Sequence, residues 1–254
     1  MKTPIYDPKF SNVSVSKIVA MMDQGSAINT YRFFSGATEL SLSKYNFTIN
    51  SHTQRPAIAE FWYCLFEDPE LIYHRIIHKD FIPTSEMEFK LMQKTFLSYK
   101  SVYYRAALFF VLNRCSNLGS PSRGGFDSRN LTRMAMNRLR TFRKPDNFNL
   151  HYQEDSNSNV FSSDIACDYV LFPNLIFNYN LMDYGKSSSF DSQIISHNFL
   201  KDYLLSERKK TILIYNNHPA LLDFFQKFNI TLIDRYGNIS NNSTNYEEAI
   251  VTNF

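Results

Sequence analysis

Residues 167–175 read CDYVLFPNL and residues 209–219 read KKTILIYNNHP. Each is a short apolar run, rich in β-branched and aromatic residues, that stops at asparagine and proline. That is the pattern of a strand buried on both faces. Between them, SQIISHNFLKDYLLSER (192–208) spaces its apolar residues as a helix does. A strand–helix–strand order implies parallel strands joined by a crossover helix. HPALLDFFQKF supplies the next helix, and ITLIDRYGNIS with EEAIVTNF closes the sequence as an antiparallel pair. The expected class is α/β, with a mainly parallel sheet of about seven strands.

Upstream, VSVSKIVAMMD (13–23) reads as a strand turning into a helix, and NTYRFFSGA (29–37) as a short strand ending at Gly36. PAIAEFWYCLFEDPELIYHRII (56–77) has helical spacing, with Asp68-Pro69 opening a second helix. Residues 85–115 read as two helices, the first opened by Ser85 with Glu88 three residues on. SNLGSPSRGGF (116–126) is a loop holding three of the seven glycines. RNLTRMAMNRLRTFRK (129–144) is a basic amphipathic helix, and 151–164 is polar connection around an edge strand. This divides the chain into an α/β core, 1–77 with 151–254, and a helical lobe, 78–150.

Composition sets outer bounds. The chain is 44% hydrophobic with a net charge of only +3, so it can bury a core and its overall charge demands no nucleic-acid partner. Cys64, Cys115 and Cys167 are far apart, which fits a reducing compartment and no disulfide scaffold. MKTPIYDPKF has no apolar signal-like run, and no stretch is long enough to span a membrane. The expectation is a cytoplasmic protein, or a virion component if the source is viral, with no membrane partner. Of the six histidines only His74 and His78 share helical i, i+4 spacing, with no third ligand, so no metal is expected.

Five pieces then occur in a particular order. They are YRFFSGA, TQRPAIAEFW, YYRAALFFVLNRCSNLGSPSRGGF (103–126), CDYVLFPNL, and TILIYNNHPALLDFFQKFNI with EEAIVTNF. In this order and spacing, over roughly 29–254, the sequence resembles the Dam-type DNA adenine-N6 methyltransferases. The resemblance implies a Rossmann-like methyltransferase fold in which the helical lobe corresponds to the target-recognition region. It also implies a target adenine flipped out of the duplex into a pocket.

The chemistry that the resemblance implies is missing residue by residue. Where the family has Asp-Pro-Pro-Tyr, this sequence has Phe172, Pro173, Asn174 and Leu175. Phenylalanine accepts no hydrogen bond from an adenine amine, and leucine offers no π-face. Where the family has Glu-Pro-Phe-x-Gly-Gly, Arg32 replaces the acid, Phe34 is kept, and Gly36 is followed by alanine. A cation there opposes a sulfonium. Thr53 stands where an acidic residue would accept the ribose hydroxyls. No cofactor is expected, S-adenosylmethionine entering only if the chain is an active, diverged enzyme.

The remaining functional signal is basic: Arg114, Arg123, Arg129, Arg133 and Arg140 are candidates for phosphate contacts, with Gly124 and Gly125 permitting close approach. The bland alternatives are a solvated helix face and, for RAALFFVLNR, a core helix. Three functions follow. The first is a catalytically inactive methyltransferase-like protein that binds double-stranded DNA or pairs with an active partner. The second is a fold reused in a structural or viral assembly, and the third an active DNA adenine methyltransferase.

Overall fold

The computed structural model describes residues 2–8, 12–78, 81–153, 165–177, 196–206 and 209–254. Among these residues seven strands form one sheet in the order β3-β2-β1-β4-β5-β7-β6, with nine α-helices around it. The strands are β1 Ala27–Thr30, β2 Thr48–Thr53, β3 Phe148–Tyr152, β4 Tyr169–Leu175, β5 Lys210–Asn216, β6 Asn229–Ile233 and β7 Glu248–Thr252. Neighbours from β3 through β5 run parallel, while β7 is antiparallel to both β5 and β6. The chain order reverses between β1 and β4, which puts the switch point of the sheet, where ligands bind in open α/β folds, at their C-terminal ends.

Two apolar clusters sit on opposite faces. One joins Ile28, Ile49, Phe148, Leu171 and Ile212 to the helices α3 (Pro56–Glu67), α6 (Val102–Arg114) and α7 (Arg133–Arg140). The other joins Tyr31, Val170, Phe172, Leu213 and Tyr215 to Leu200 and Leu204 of α8 (His197–Ser206) and to Leu221 of α9 (Leu221–Phe224). Side chains two apart on a strand share a face, so this division follows directly from the apolar runs.

Local chemistry sets the helix starts. Arg55 is extended (φ −107°, ψ 112°) ahead of Pro56, as a residue before proline must be, and Pro56 opens α3. Asp68 Oδ1 accepts from Leu71 N at 2.9 Å and starts α4 (Pro69–His78). Ser85 Oγ accepts from Glu88 N at 3.2 Å to start α5 (Glu86–Thr95). The Glu88 carboxylate reaches back one residue further than expected, to Thr84 N at 2.8 Å.

Three expectations need correction. Residues 13–23 contain the helix α1 (Val15–Met21) and no strand. The first strand stops at Thr30, because Arg32 takes a left-handed φ of 65° and turns the chain. The strand expected within 151–164 begins at Phe148, inside the stretch assigned to the lobe, while 154–164 lies outside the described residues. The lobe shares the apolar cluster of β1–β3, since α6 and α7 contribute Phe109, Ala135 and Leu139 to it.

Candidate functional site

The candidate site at this switch point is built from the residues that follow β1, β2 and β4. At β4, Phe172 is fully buried and Leu175 is 1% exposed. Phe172 lies in register with Leu213, and the pairing then shifts before Leu175 meets Tyr215. Pro173 explains the shift, since it brings no N–H to the ladder. Strand β4 therefore runs through the tetrapeptide and ends at its last residue, Leu175. The Phe172 ring stacks on Tyr31 (centroids 5.4 Å, 27°) and meets Tyr203 edge-on at 5.8 Å. The sequence predicts that Phe172 and Leu175 are covered by Phe33, Phe34 or Trp62, but these three belong to the cluster on the opposite face, where Phe33 and Trp62 pack edge-to-face at 5.0 Å. The side chain of Asn174 lies outside the described ones.

At β1, the turn residues are held by the protein itself. Gly36 has φ +66° and opens α2 (Ala37–Leu42). A Cβ there would meet Trp62 carbons at 3.0 and 3.1 Å and Phe33 at 3.2 Å. The space beside this glycine is thus taken by an indole, whose Nε1 donates to the Phe34 carbonyl at 2.8 Å. Burial pushes the Arg32 guanidinium down to about 10, so it stays a cation at neutral pH. Its charge acts on His197, which burial first and then Arg32 hold near pKa 4. His197 Nδ1 lies 3.1 Å from the Tyr215 hydroxyl. At β2, Thr53 is 3% exposed and its hydroxyl accepts from Arg55 N at 3.3 Å.

One buried acid escaped the sequence reading. Glu39 on α2 is 1% exposed, with Oε1 3.4 Å from Thr30 Oγ1, which itself lies 2.9 Å from Ser51 Oγ. Burial, with a smaller push from Asp7, raises its carboxyl to about 7. The available signal was positional, an acid three residues past Gly36 in a helix otherwise apolar at Leu40 and Leu42. A raised pKa stabilises the fold at low pH, and that contribution is lost as pH rises from 4.5 through about 7. Glu39→Gln is therefore expected to be more stable than the parent at pH 8 by about 2–3 kcal/mol, an advantage that vanishes near pH 4.5. Urea unfolding at both pH values measures it. Equal stabilities at pH 8 would show that the carboxylate is better solvated than this placement implies.

The basic candidates are scattered in role. Arg114 is only 7% exposed, and its Nε donates to the Pro4 carbonyl at 2.8 Å, so it holds the N-terminal segment and faces no phosphate. The Arg123 carbonyl accepts from Ser116 Oγ (2.7 Å) and Gln93 (3.0 Å), fixing the 116–126 loop. Arg129 forks onto Asp127 at 2.7 and 2.9 Å, and Arg140 meets Glu70 at 2.9 Å. Arg133 is exposed at the start of α7, as are Arg143 and Lys144 beyond its end. Among the described residues no group of three histidine, cysteine or acidic side chains is arranged to hold a metal. Neither family models nor curated proteins match the sequence. No helix among the described residues is long and apolar enough to cross a membrane.

Proposed function

We propose that this chain is a catalytically inactive protein with a Rossmann-like methyltransferase fold, related to the Dam-type enzymes and retained to bind double-stranded DNA. The observation that carries the reading is Phe172, fully buried in an aromatic stack where such an enzyme needs an acceptor and an open base pocket. The strand order, with its switch between β1 and β4 and antiparallel β7 between β5 and β6, supports the fold assignment. The cofactor positions do not fit S-adenosylmethionine. Trp62 fills the space beside Gly36, Arg32 sets a cation near the sulfonium position, and the small Thr53 hydroxyl is engaged with Arg55 N.

DNA contact falls to the lobe. The Arg140–Glu70 pair is half exposed on both sides and the Arg129 guanidinium on Asp127 is 87% exposed, so solvent weakens both pairs and a phosphate displaces them at little cost. With Arg133, Arg143 and Lys144 they make a set of five exposed cations that read backbone and not sequence. Fluorescence anisotropy with a short duplex tests this. Four or five phosphate contacts predict that raising salt from 50 to 200 mM weakens binding on the order of a hundredfold. Reversing Arg133 and Arg143 to glutamate is expected to abolish binding. No binding at 50 mM salt would sink the reading. Concentration-dependent self-association in that case would favour the assembly role, for which Met87 (79% exposed) and Leu91 (61%), one turn apart on α5, offer an apolar contact.

A further inference from the structure

On the sheet face away from α3, two rows of side chains cross β1, β2 and β3. Asn149 Nδ2 donates to Asn50 Oδ1 at 3.2 Å, and Asn50 Nδ2 to Asn29 Oδ1 at 3.3 Å. One step along the strands, Tyr31, His52 and His151 form a row of rings. His52 is stacked between Tyr31 (4.9 Å, 24°) and His151 (5.1 Å, 25°), and the two histidines are direct register partners. His52 is 3% exposed, and among the described residues neither of its ring nitrogens has a hydrogen-bond partner; His151 Nε2 is likewise buried and without a partner among them. A buried polar group without a partner is costly, so this arrangement needs an explanation.

We propose that His52 and His151 form an acid-sensitive latch that holds edge strand β3, and with it the end of the helical lobe, against the sheet. As neutral rings they stack and tolerate burial. Protonating His52, or His151 at Nε2, places a cation against its neighbour with no acceptor among the described residues to receive the new N–H. Among the described residues, the other titratable or charged groups reaching the pair are Tyr31, just past the end of β1, and Lys144 from the α7–β3 connection. Lys144 is positive, so it opposes protonation further. Glu39 lies beside Thr30 and Ser51, whose side chains point to the opposite face. The Tyr63 hydroxyl of α3, which donates to Leu150 O at 3.3 Å and accepts from Tyr152 N at 3.2 Å, ties β3 from its free edge without meeting the histidines.

The direction follows from linkage. Burial holds His52 down to about 4 and His151 below its ordinary range. Their stabilisation is complete above 6.5 and is lost as pH falls toward 4, because released imidazoles protonate in the ordinary range. Because β3 is an edge strand joined directly to the lobe, it is released locally, before the sheet unfolds.

Hydrogen exchange of the full chain, corrected for intrinsic rates, tests the latch at about pH 7.5 and pH 5. Protection of 148–152 is expected to fall about thirtyfold relative to 212–214 of β5. In His52→Phe, which keeps the ring and loses the titration, that differential fall is expected to shrink to a few-fold. An equal fall in β3 and β5, or an unchanged differential in His52→Phe, would overturn the proposal. If His52→Phe does not fold, His151→Phe takes its place, and NMR titration of the parent decides independently. His52 titrating near 6.5 while β3 stays protected would also overturn it.

Discussion

Phe172→Asp is expected to unfold the protein at a denaturant midpoint lower by the equivalent of at least about 4 kcal/mol, and to transfer no methyl group to adenine. Removing a fully buried aromatic ring costs about 3–5 kcal/mol in lost transfer and residual cavity. The new carboxyl adds its own desolvation, which it relieves only by taking up a proton. The loss should therefore shrink as pH is lowered. Phe172→Leu, which keeps most of the apolar volume, is expected to cost no more than about 1.5 kcal/mol. The chemical half of the prediction rests on the neighbours. Even with an acid restored, Tyr31 and Tyr203 occupy the space in front of it, and Arg32 and Trp62 remain at the cofactor positions. A Phe172→Asp variant that folded normally and methylated adenine would return the chain to the enzymes.

Much of the sheet was legible because apolar runs reveal buried strands directly. YVLF and TILIY became β4 and β5, and EEAIVTNF the antiparallel β7. Punctuation was equally readable at Asp68-Pro69 and at Ser85 with Glu88, where one side chain satisfies one backbone donor within a turn. What escaped depends on contacts distant in sequence or on a single dihedral. Nothing in NTYRFF marks Arg32 as left-handed, so the end of β1 was misplaced. The neighbours of Phe172 were assigned to the wrong face because the same turn decides which side Phe33 faces. Arg114 reads as a free cation in a basic region, yet its partner is a carbonyl 110 residues away. No local pattern around Glu39 marks it as buried, and only tertiary packing buries it.

Asn113→Leu is expected to destabilise the protein by about 3 kcal/mol and to expose residues 2–8 to protease, although leucine keeps the branched outline and the heavy-atom count of asparagine. Asn113 is fully buried at the end of α6, in the stretch of sequence that reads most simply as a core helix. Its amide grips one residue through both of its backbone groups: Oδ1 accepts from Tyr6 N at 2.8 Å while Nδ2 donates to Tyr6 O at 2.8 Å. Nδ2 also donates to Gly119 O at 2.6 Å. Leucine removes three hydrogen bonds, each leaving a backbone group short of a partner at about 1–3 kcal/mol if it stays buried. The total is capped because residues 2–8 can instead lift into water, giving up Ile5 (3% exposed) at a cost of about 1.5–3 kcal/mol. Asn113→Asp separates hydrogen bonding from packing. It keeps shape and the acceptor for Tyr6 N, but it sets a carboxylate against two carbonyl oxygens and should be as damaging as leucine. If the helix serves only as core, leucine should cost no more than the overpacking of its extra volume, about 1–3 kcal/mol, and should leave residues 2–8 protected, with aspartate alone exposing them. Comparable losses in both variants, with early cleavage before residue 9, would identify Asn113 as the residue that fastens the N-terminal segment across the 116–126 loop.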